Sequence, residues 1–338
     1  MSWFNEKGDM QDVVISTRVR FARNLEKYPF SSRLSEKDAS EIIEKVRIAL
    51  PEYRYTAFSS EGRRELGSYM EMHYVSPEFA ESGRKRALLT GESDHVHIMV
   101  CEEDHLRIQG IVSGFDPERA FSYALSADKT LTSKLQIAYS EKYGYLTHCP
   151  TNLGAAMRVS AMLCLPALTM SNTIERYAAA MNKMGMTIRG LYGEGSRASG
   201  CLYQISNRAS LGIAEGEIIK KLKDVIKSLV EAERNARSSL FSANKTRLTD
   251  TVARRLGTLK SSYTLTSDEF TNAFSELKLG ISLGLIENLS DEKLSEMLIA
   301  IQPYTISLVR EGLDDDSARD IARAKLIREF LKNVTFIY

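Results

Sequence analysis

The chain has 338 residues, with 45 Lys and Arg set against 44 Asp and Glu, so its formal net charge is +1. Near-neutrality excludes bulk electrostatic binding of nucleic acid or an anionic membrane, while leaving room for a local basic site. Hydrophobic residues make up 43% and charged residues 26%, the composition of a soluble globular protein with a large core and roughly two domains.

The first ten residues, "MSWFNEKGDM", have no apolar signal-peptide core. The most apolar run, "AMLCLPALTM", is short and broken by Pro166, so no membrane span is expected. Cys101, Cys149, Cys164 and Cys201 show no C-x-x-C pair and no zinc-like spacing. Reduced thiols and a cytoplasmic location are the expectation.

"DVVISTRVRFARN" alternates and is β-branched, which predicts a strand. "SEKDASEIIEKVRIAL" opens with a capping box, Ser35 to Asp38, and repeats apolar residues at helical spacing. "SDHVHIMVCEEDHLRIQGIV" reads as two strands around a charged turn. A helix is expected over 118–142, a shaped loop around Cys149, and helices over 155–165 and 171–184. "MTIRGLYGEGSRASGCLYQISNRAS" reads as a strand, a glycine-rich loop and a second strand. A long amphipathic helix starts at Glu215, with Ile218, Leu222, Val225, Ile226 and Leu229 on one stripe. Beyond about residue 240 helices follow one another, near 246–259, 267–281, 290–301 and 316–332. The expected division is a catalytic domain over 1–238 and a helical domain over 239–338, with the boundary on or beside a helix.

Neither a Walker A loop nor the Asp-Phe-Gly and His-Arg-Asp set of protein kinases is present, and "GEGSRASG" fits no dinucleotide fingerprint. Any nucleotide must be held by side chains. Arg18 and Arg20 lie two apart on a strand and share a face, which suits phosphate oxygens or a solvated sheet edge. Glu102, Glu103 and Asp104 precede Arg107 in what is either a site or an exposed acidic turn. Pro150 biases Cys149 away from helix, and Asn152 and Gly154 are turn residues. The thiol is thus either displayed by a loop or a small core group. Arg158 follows this loop where a helix is expected to begin. Arg189 ends a strand just before Gly190, where a surface salt bridge is the plainer reading. His73, His95, His97, His105 and His148 have no joint metal-ligand spacing, so no metal site is expected.

"STRVRFARN", "CEEDHLRI", "CPTNLG…R" and "RGLYGEG…YQISN" occur in this order and together resemble the guanidino-kinase (phosphagen kinase) superfamily. Cys-Pro-Thr-Asn-Leu-Gly is its most specific stretch. Within the superfamily the chain resembles the bacterial protein-arginine kinases over nearly its whole length, including the terminal "ARDIARAKLIREFL". The resemblance implies an α+β fold, an antiparallel sheet flanked by helices as in glutamine synthetase, followed by an all-α domain. It implies ATP-dependent phosphorylation of arginine side chains in proteins that are then directed to stress-related proteolysis. Arg18, Arg20, Arg107, Arg158 and Arg189 would clamp the ATP phosphates, bridged by Mg²⁺. Glu103 would hold the guanidinium nucleophile, Glu194 would be a second carboxylate, and Cys149 would lie beside the guanidinium as a thiolate. Arg319 and Asp320 would form a remote phosphoarginine pocket.

Two positions depart from the family pattern. Tyr192 stands where animal enzymes carry an arginine, and Arg197 stands where the superfamily places a substrate-handling glutamate. The animal-type N-terminal helical domain that closes over a small substrate is not evident, which favours protein substrates. A kinase for free arginine or another small guanidine is the first rival. A non-catalytic phosphoarginine-binding adaptor is the second. By the same resemblance the expected partners are a small zinc-binding activator, a stress protease or chaperone, and a second copy in a homodimer. Neither nucleic acid nor membrane is expected.

Overall fold

The computed structural model describes residues 2–58, 63–190, 198–310, 313 and 315–338. In chain order the elements begin with β1 (Val14–Arg23), α1 (Glu36–Ala49), β2 (Arg54–Phe58), α2 (Arg63–Glu71), α3 (Pro77–Glu81), β3 (Arg86–Thr90), β4 (Val96–Val100), β5 (Leu106–Ser113) and α4 (Pro117–Lys134). There follow β6 (Tyr139–Ser140), β7 (Gly144–Tyr145), β8 (Met157–Cys164), α5 (Pro166–Met170), α6 (Ile174–Lys183), β9 (Met186–Gly190) and β10 (Leu202–Asn207). The last part holds α7 (Glu215–Ser261), α8 (Ser267–Ser282), β11 (Ile286–Glu287), α9 (Asp291–Ala300), α10 (Pro303–Val309), α11 (Asp316–Phe330) and β12 (Thr335–Phe336).

An eight-stranded sheet in the order β2-β3-β4-β5-β1-β8-β10-β9 organises the first part, and every neighbouring pair in it is antiparallel. One face is apolar. Val19, Phe21, Ile108, Val159, Ala161 and Ile205 pack there with α1, α4 and the first half of α7 in one buried cluster. Helix α4 lies directly on the sheet at Gly110, where a Cβ would come within 2.2 Å of the Ala120 carbonyl oxygen. α1 starts as its sequence predicts, with Ser35 Oγ accepting the Asp38 N–H at 3.1 Å.

The C-terminal helices pack on one end of the other face. Trp3, Ile15, Ile111, Met162, Cys164 and Leu202 share a second core with Phe270, Phe274, Leu277 and Leu294. α8 begins with a full capping box between Thr266 and Glu269. None of the described helices is long and apolar enough to cross a membrane.

Two expectations are corrected. Residues 155–165 are not helical, because β8 occupies Met157–Cys164. Ala, Met and Leu in that stretch favour helix, but its sites between β1 and β10 satisfy both edges of a buried strand, and burial decides. The helix expected over 118–142 stops at Lys134. From there the chain pairs with the exit of β1, through Glu26 N to Gln136 O and Ala138 N to Asn24 O. α7 continues through residues 238 and 239, and only Asn244 leaves helical geometry, at φ −138°.

Candidate active site

Alternation along β1 turns Arg18 and Arg20 to the same face, away from the Val19 and Phe21 core. Register carries that face across the sheet. Arg20 lies opposite Arg158, and Ala22 lies opposite Arg107. Arg18 lies opposite Ser160, which lies opposite Ser206. Gln204, two residues before Ser206, lies opposite Arg189. Residues directly opposite in an antiparallel ladder share a face. All five arginines singled out in the sequence therefore belong to one face, and Arg158 reaches it from a strand rather than from the start of a helix.

Their charges are poorly compensated. Burial, then Arg107 and Arg158, pull the Arg18 guanidinium down to about 10. Burial, then Arg18, Arg107 and Arg158, hold Arg20 well below the usual arginine range. Arg158 is lowered by burial, Arg189 and Arg107, while Cys149 and Glu103 act the other way. Arg18 Nε is buried with no hydrogen-bond partner. Among the described residues Arg158 finds only a hydroxyl, Ser206 Oγ, at 3.2 and 3.3 Å. Orphaned donors beside crowded cations fit an anion with several oxygens, such as a triphosphate.

The acidic turn divides its three residues among three tasks. Glu102 pairs with Arg107 and accepts the Glu103 N–H at 2.8 Å. Asp104 is buried, and its Oδ1 accepts Asn24 Nδ2 and the His148 N–H, each at 2.7 Å. Among the described residues, the nearest cations to the Glu103 carboxylate are Arg107 and His148, each at 3.9 Å. Burial, then the charge of Asp104, raises the Glu103 carboxyl above the ordinary range.

Cys149 stands one residue beyond His148, so Asp104 ties the cysteine loop to the acidic turn. Pro150–Asn152 forms a short 3-10 turn. Thr147 Oγ1 and the Asn152 N–H both donate to the Cys149 carbonyl oxygen, at 2.9 and 3.0 Å. Gly154 adopts φ +97°, and a Cβ there would meet the Ser210 carbonyl oxygen at 2.6 Å. Ser210 Oγ in turn donates to the carbonyls of Asn152 and Leu153. The loop is held on both sides, with Cys149 half-buried and reduced.

Glu194, Tyr192 and Arg197 lie outside the described residues. Beyond them, the Gly200 N–H donates to Asn272 Oδ1 of α8 at 3.2 Å. His95 and His97 serve structure. His95 stacks on Tyr123 and bonds Glu6, and His97 stacks on Tyr74. No group of His, Cys, Asp and Glu suited to a metal ion occurs among the described residues. Two open clefts, of about 530 and 670 Å³, flank Tyr139 and Tyr145, and neither is lined by the five arginines, Glu103 or Cys149.

Residues 35–236 match the family described as ATP:guanido phosphotransferase, C-terminal catalytic domain. Residues 245–336 match the family described as protein-arginine kinase McsB C-terminal domain. A protein-arginine kinase from Clostridium acetobutylicum is 36% identical over 98% of this chain and 99% of that one. The chain belongs to the protein-arginine kinase family. Another member of the family, from Shouchella clausii, is 38% identical over 98% of this chain and 94% of its own. A lombricine kinase structure shares the fold, with a TM-score of 0.59 and 22% identity over 68% of each chain. A duplicated taurocyamine kinase from Schistosoma mansoni, solved with transition state analog components, aligns at a TM-score of 0.58 and 26% identity. It covers 66% of this chain, which spans about a third (33%) of that longer one. The chain is thus an ATP-dependent guanidino kinase by family.

Sequence reading weighed Glu102 and Asp104 only as members of the acidic turn, without their separate contacts, and missed Asn24 and Ser206. Each stands inside a quoted motif, but its role depends on contacts between strands distant in the chain. The thiols give a direct check. Burial pushes Cys101 up to about 12 and raises Cys164 and Cys201. Iodoacetamide at neutral pH is expected to modify Cys149 first, followed by peptide mapping. Modification of any other cysteine ahead of it would remove Cys149 from the exposed site.

Proposed function

We propose that this chain transfers the γ-phosphoryl group of ATP to the guanidinium of arginine side chains in proteins. The observation that carries the reading is the shared arginine face, with an Arg18 Nε that has no partner among the described residues, bordered by Glu103, whose carboxylate lies 3.9 Å from Arg107 and from His148. Relatives named protein-arginine kinase at 36–38% identity support protein as the acceptor.

In this mechanism Arg18, Arg20, Arg107, Arg158 and Arg189 hold the phosphate oxygens and spread the charge that grows during transfer. Mg²⁺, bound to the phosphates and water as hard cations prefer, would neutralise part of that charge. Glu103 pairs with the incoming guanidinium and fixes one nitrogen in line with the γ-phosphorus. The N–P bond forms as the bond to the β–γ bridging oxygen breaks, and ADP leaves. The nitrogen proton passes to Glu103 or to solvent through it. Glu194 is proposed as the second carboxylate, and the Cys149 thiolate as a further negative group near the guanidinium. Because Glu103 titrates above the ordinary range, the acid limb of kcat/KM should lie higher than for a free glutamate. Activity is lost as pH falls through that raised value, since only the carboxylate pairs with the cation.

Initial rates with Mg·ATP and either an unfolded protein or free arginine test the acceptor. Protein should be strongly preferred. Preference for free arginine would favour the small-guanidine rival, and no transfer to either would favour the adaptor.

Arg319 and Asp320 are proposed to read phosphoarginine. Both sit on α11, where Arg319 pairs with Asp316 and Asp320 pairs with Arg323. Arg323 is buried and also donates to the Ile301 and Leu265 carbonyls, each at 2.7 Å. An adjacent cation and anion match a ligand carrying both charges. In calorimetric titration, Arg319→Ala should weaken phosphoarginine binding by about 1.5–3 kcal/mol. Asp320→Ala should do the same and also lower the melting temperature, because it strips Arg323 of its partner. Unchanged affinity in both variants would return α11 to an ordinary packing helix.

The division into 1–238 and 239–338 is proposed on the gap between the two family matches, 236 to 245. A cytoplasmic homodimer, a zinc-binding activator and delivery of marked proteins to a stress protease or chaperone complete the proposed setting.

A further inference from the structure

The six residues Glu71–Ser76 join α2 to α3 and cross the arginine face. At the first end, Glu71 is buried and reaches into the C-terminal helices. Its carboxylate accepts the Tyr304 N–H at 2.9 Å, the Thr305 N–H at 2.7 Å and Thr305 Oγ1 at 2.8 Å. These are the orphan donors of α10, whose own N-cap residue, Gln302, supplies no side-chain acceptor. α2 and α10 touch closely here, since a Cβ at Gly67 would fall 2.3 Å from the Tyr304 ring.

The middle of the segment is pinned. Trp3 Nε1 donates to the Met72 carbonyl at 2.9 Å, and Gln109 Nε2 donates to the His73 carbonyl at 2.7 Å. His73 takes φ +63°, a costly conformation for a residue with a Cβ, and stacks on Trp3. Tyr74 stacks on His97 at 3.8 Å.

At the far end Ser76 Oγ donates to Glu102 Oε1 at 2.6 Å. That same carboxylate pairs with Arg107 and accepts the Glu103 N–H. One serine hydroxyl therefore orients the group that orients both a phosphate-facing cation and the guanidinium-facing acid.

We propose that Glu71–Ser76 is a positioning strap, through which α10 of the C-terminal helices fixes Glu102, and Glu102 fixes Arg107 and Glu103 for transfer. Ser76 and Glu71 are positioning residues, since they act only through Glu102. The inference rests on the reading of Arg107 and Glu103 as kinase machinery. It makes the C-terminal helices a determinant of the active-site geometry rather than an appended module.

The test uses the full chain and five variants at a temperature where melts show each to be folded. Ser76→Ala should lower kcat/KM for Mg·ATP by about 10–100-fold, the scale of a displaced catalytic group. Ser76→Thr, which keeps the hydroxyl, should restore activity to within a few-fold. A role confined to capping α3 would move the melting temperature without this loss of kcat/KM. Thr305→Val, on the far side of the strap, should shift kcat and KM in the same direction as Ser76→Ala. The double variant should be no worse than Ser76→Ala alone, as expected for residues acting on one chain of contacts. Wild-type kinetics in Ser76→Ala would overturn the strap, and so would wild-type kinetics in Thr305→Val. Arg107→Ala separates the two levels. Full activity in that variant refutes the assignment of Arg107, whereas its loss beside an active Ser76→Ala refutes the strap alone.

Discussion

Glu103→Gln is expected to lose phosphoryl transfer by about 10²–10⁴-fold, the usual contribution of a positioned acid or base. The amide keeps the shape of the side chain and removes the charge that pairs with the guanidinium. Packing should not suffer, because among the described residues the Glu103 carboxylate has no hydrogen-bonded partner to lose and lies 3.9 Å from Arg107 and His148. ATP affinity should stay close to that of the wild-type chain, since the phosphates face the arginines. Stopped-assay turnover and calorimetry on the same preparation separate the two quantities. Normal turnover in the Glu103→Gln variant would remove this residue from the mechanism. The neighbouring substitution Glu102→Gln should behave differently and disturb ATP binding as well, because Glu102 pairs with Arg107.

Arg18→Met should produce two effects of opposite sign. The native guanidinium is buried beside Arg107 and Arg158, and burial together with these two charges pulls it down to about 10. Burial and the two neighbouring cations thus make the charged side chain costly to the empty protein. For a cation with a depressed folded-state value the unfolded chain binds the proton more tightly. The penalty is therefore present in full at neutral pH and relieved only as pH rises through the folded value. Methionine fills similar space without charge, so the variant should melt higher than the wild-type chain in the absence of nucleotide. Transfer should fall by about 10³-fold or more, the scale of arginines that stabilise a moving phosphoryl group. The stabilisation that ATP confers on the wild-type chain should shrink with it. A variant that melts lower and still turns over would show that Arg18 is a packing residue.

These two residues were legible because each depends on a short pattern. The two-residue spacing of Arg18 and Arg20 fixes a face on any strand, and the acidic turn announces itself between two alternating runs. The strand β8 was not legible in the same way. "MRVSAMLC" consists largely of helix formers, and only its two neighbours in the sheet make it extended. The resemblance nonetheless assigned Arg158 to the site, since that assignment rests on the residue and not on its element. The helix expected over 118–142 ran too long because nothing local marks Lys134 as its end. The stop comes from pairing with the exit of β1 at Asn24 and Glu26. Asn24 and Ser76 were invisible as site residues, and the contacts of Asp104 could not be read, for a related reason. A buried hydrogen bond between residues 80 positions apart, such as Asn24 Nδ2 to Asp104 Oδ1, leaves no periodicity in the sequence. The terminal helix α11 was placed correctly by its acidic start, with Asp315 accepting the Ala318 N–H at 2.7 Å.

The central claim concerns which atom receives the phosphoryl group. The measurement is mass spectrometry of an unfolded acceptor protein after incubation with Mg·ATP, handled at neutral to mildly basic pH so that acid-labile P–N bonds survive. The chain should place phosphate on arginine side chains, and Glu103→Gln should leave the same acceptor unmodified. Phosphate found on serine, threonine or tyrosine, or an acceptor that stays unmodified while free arginine is consumed, would contradict it.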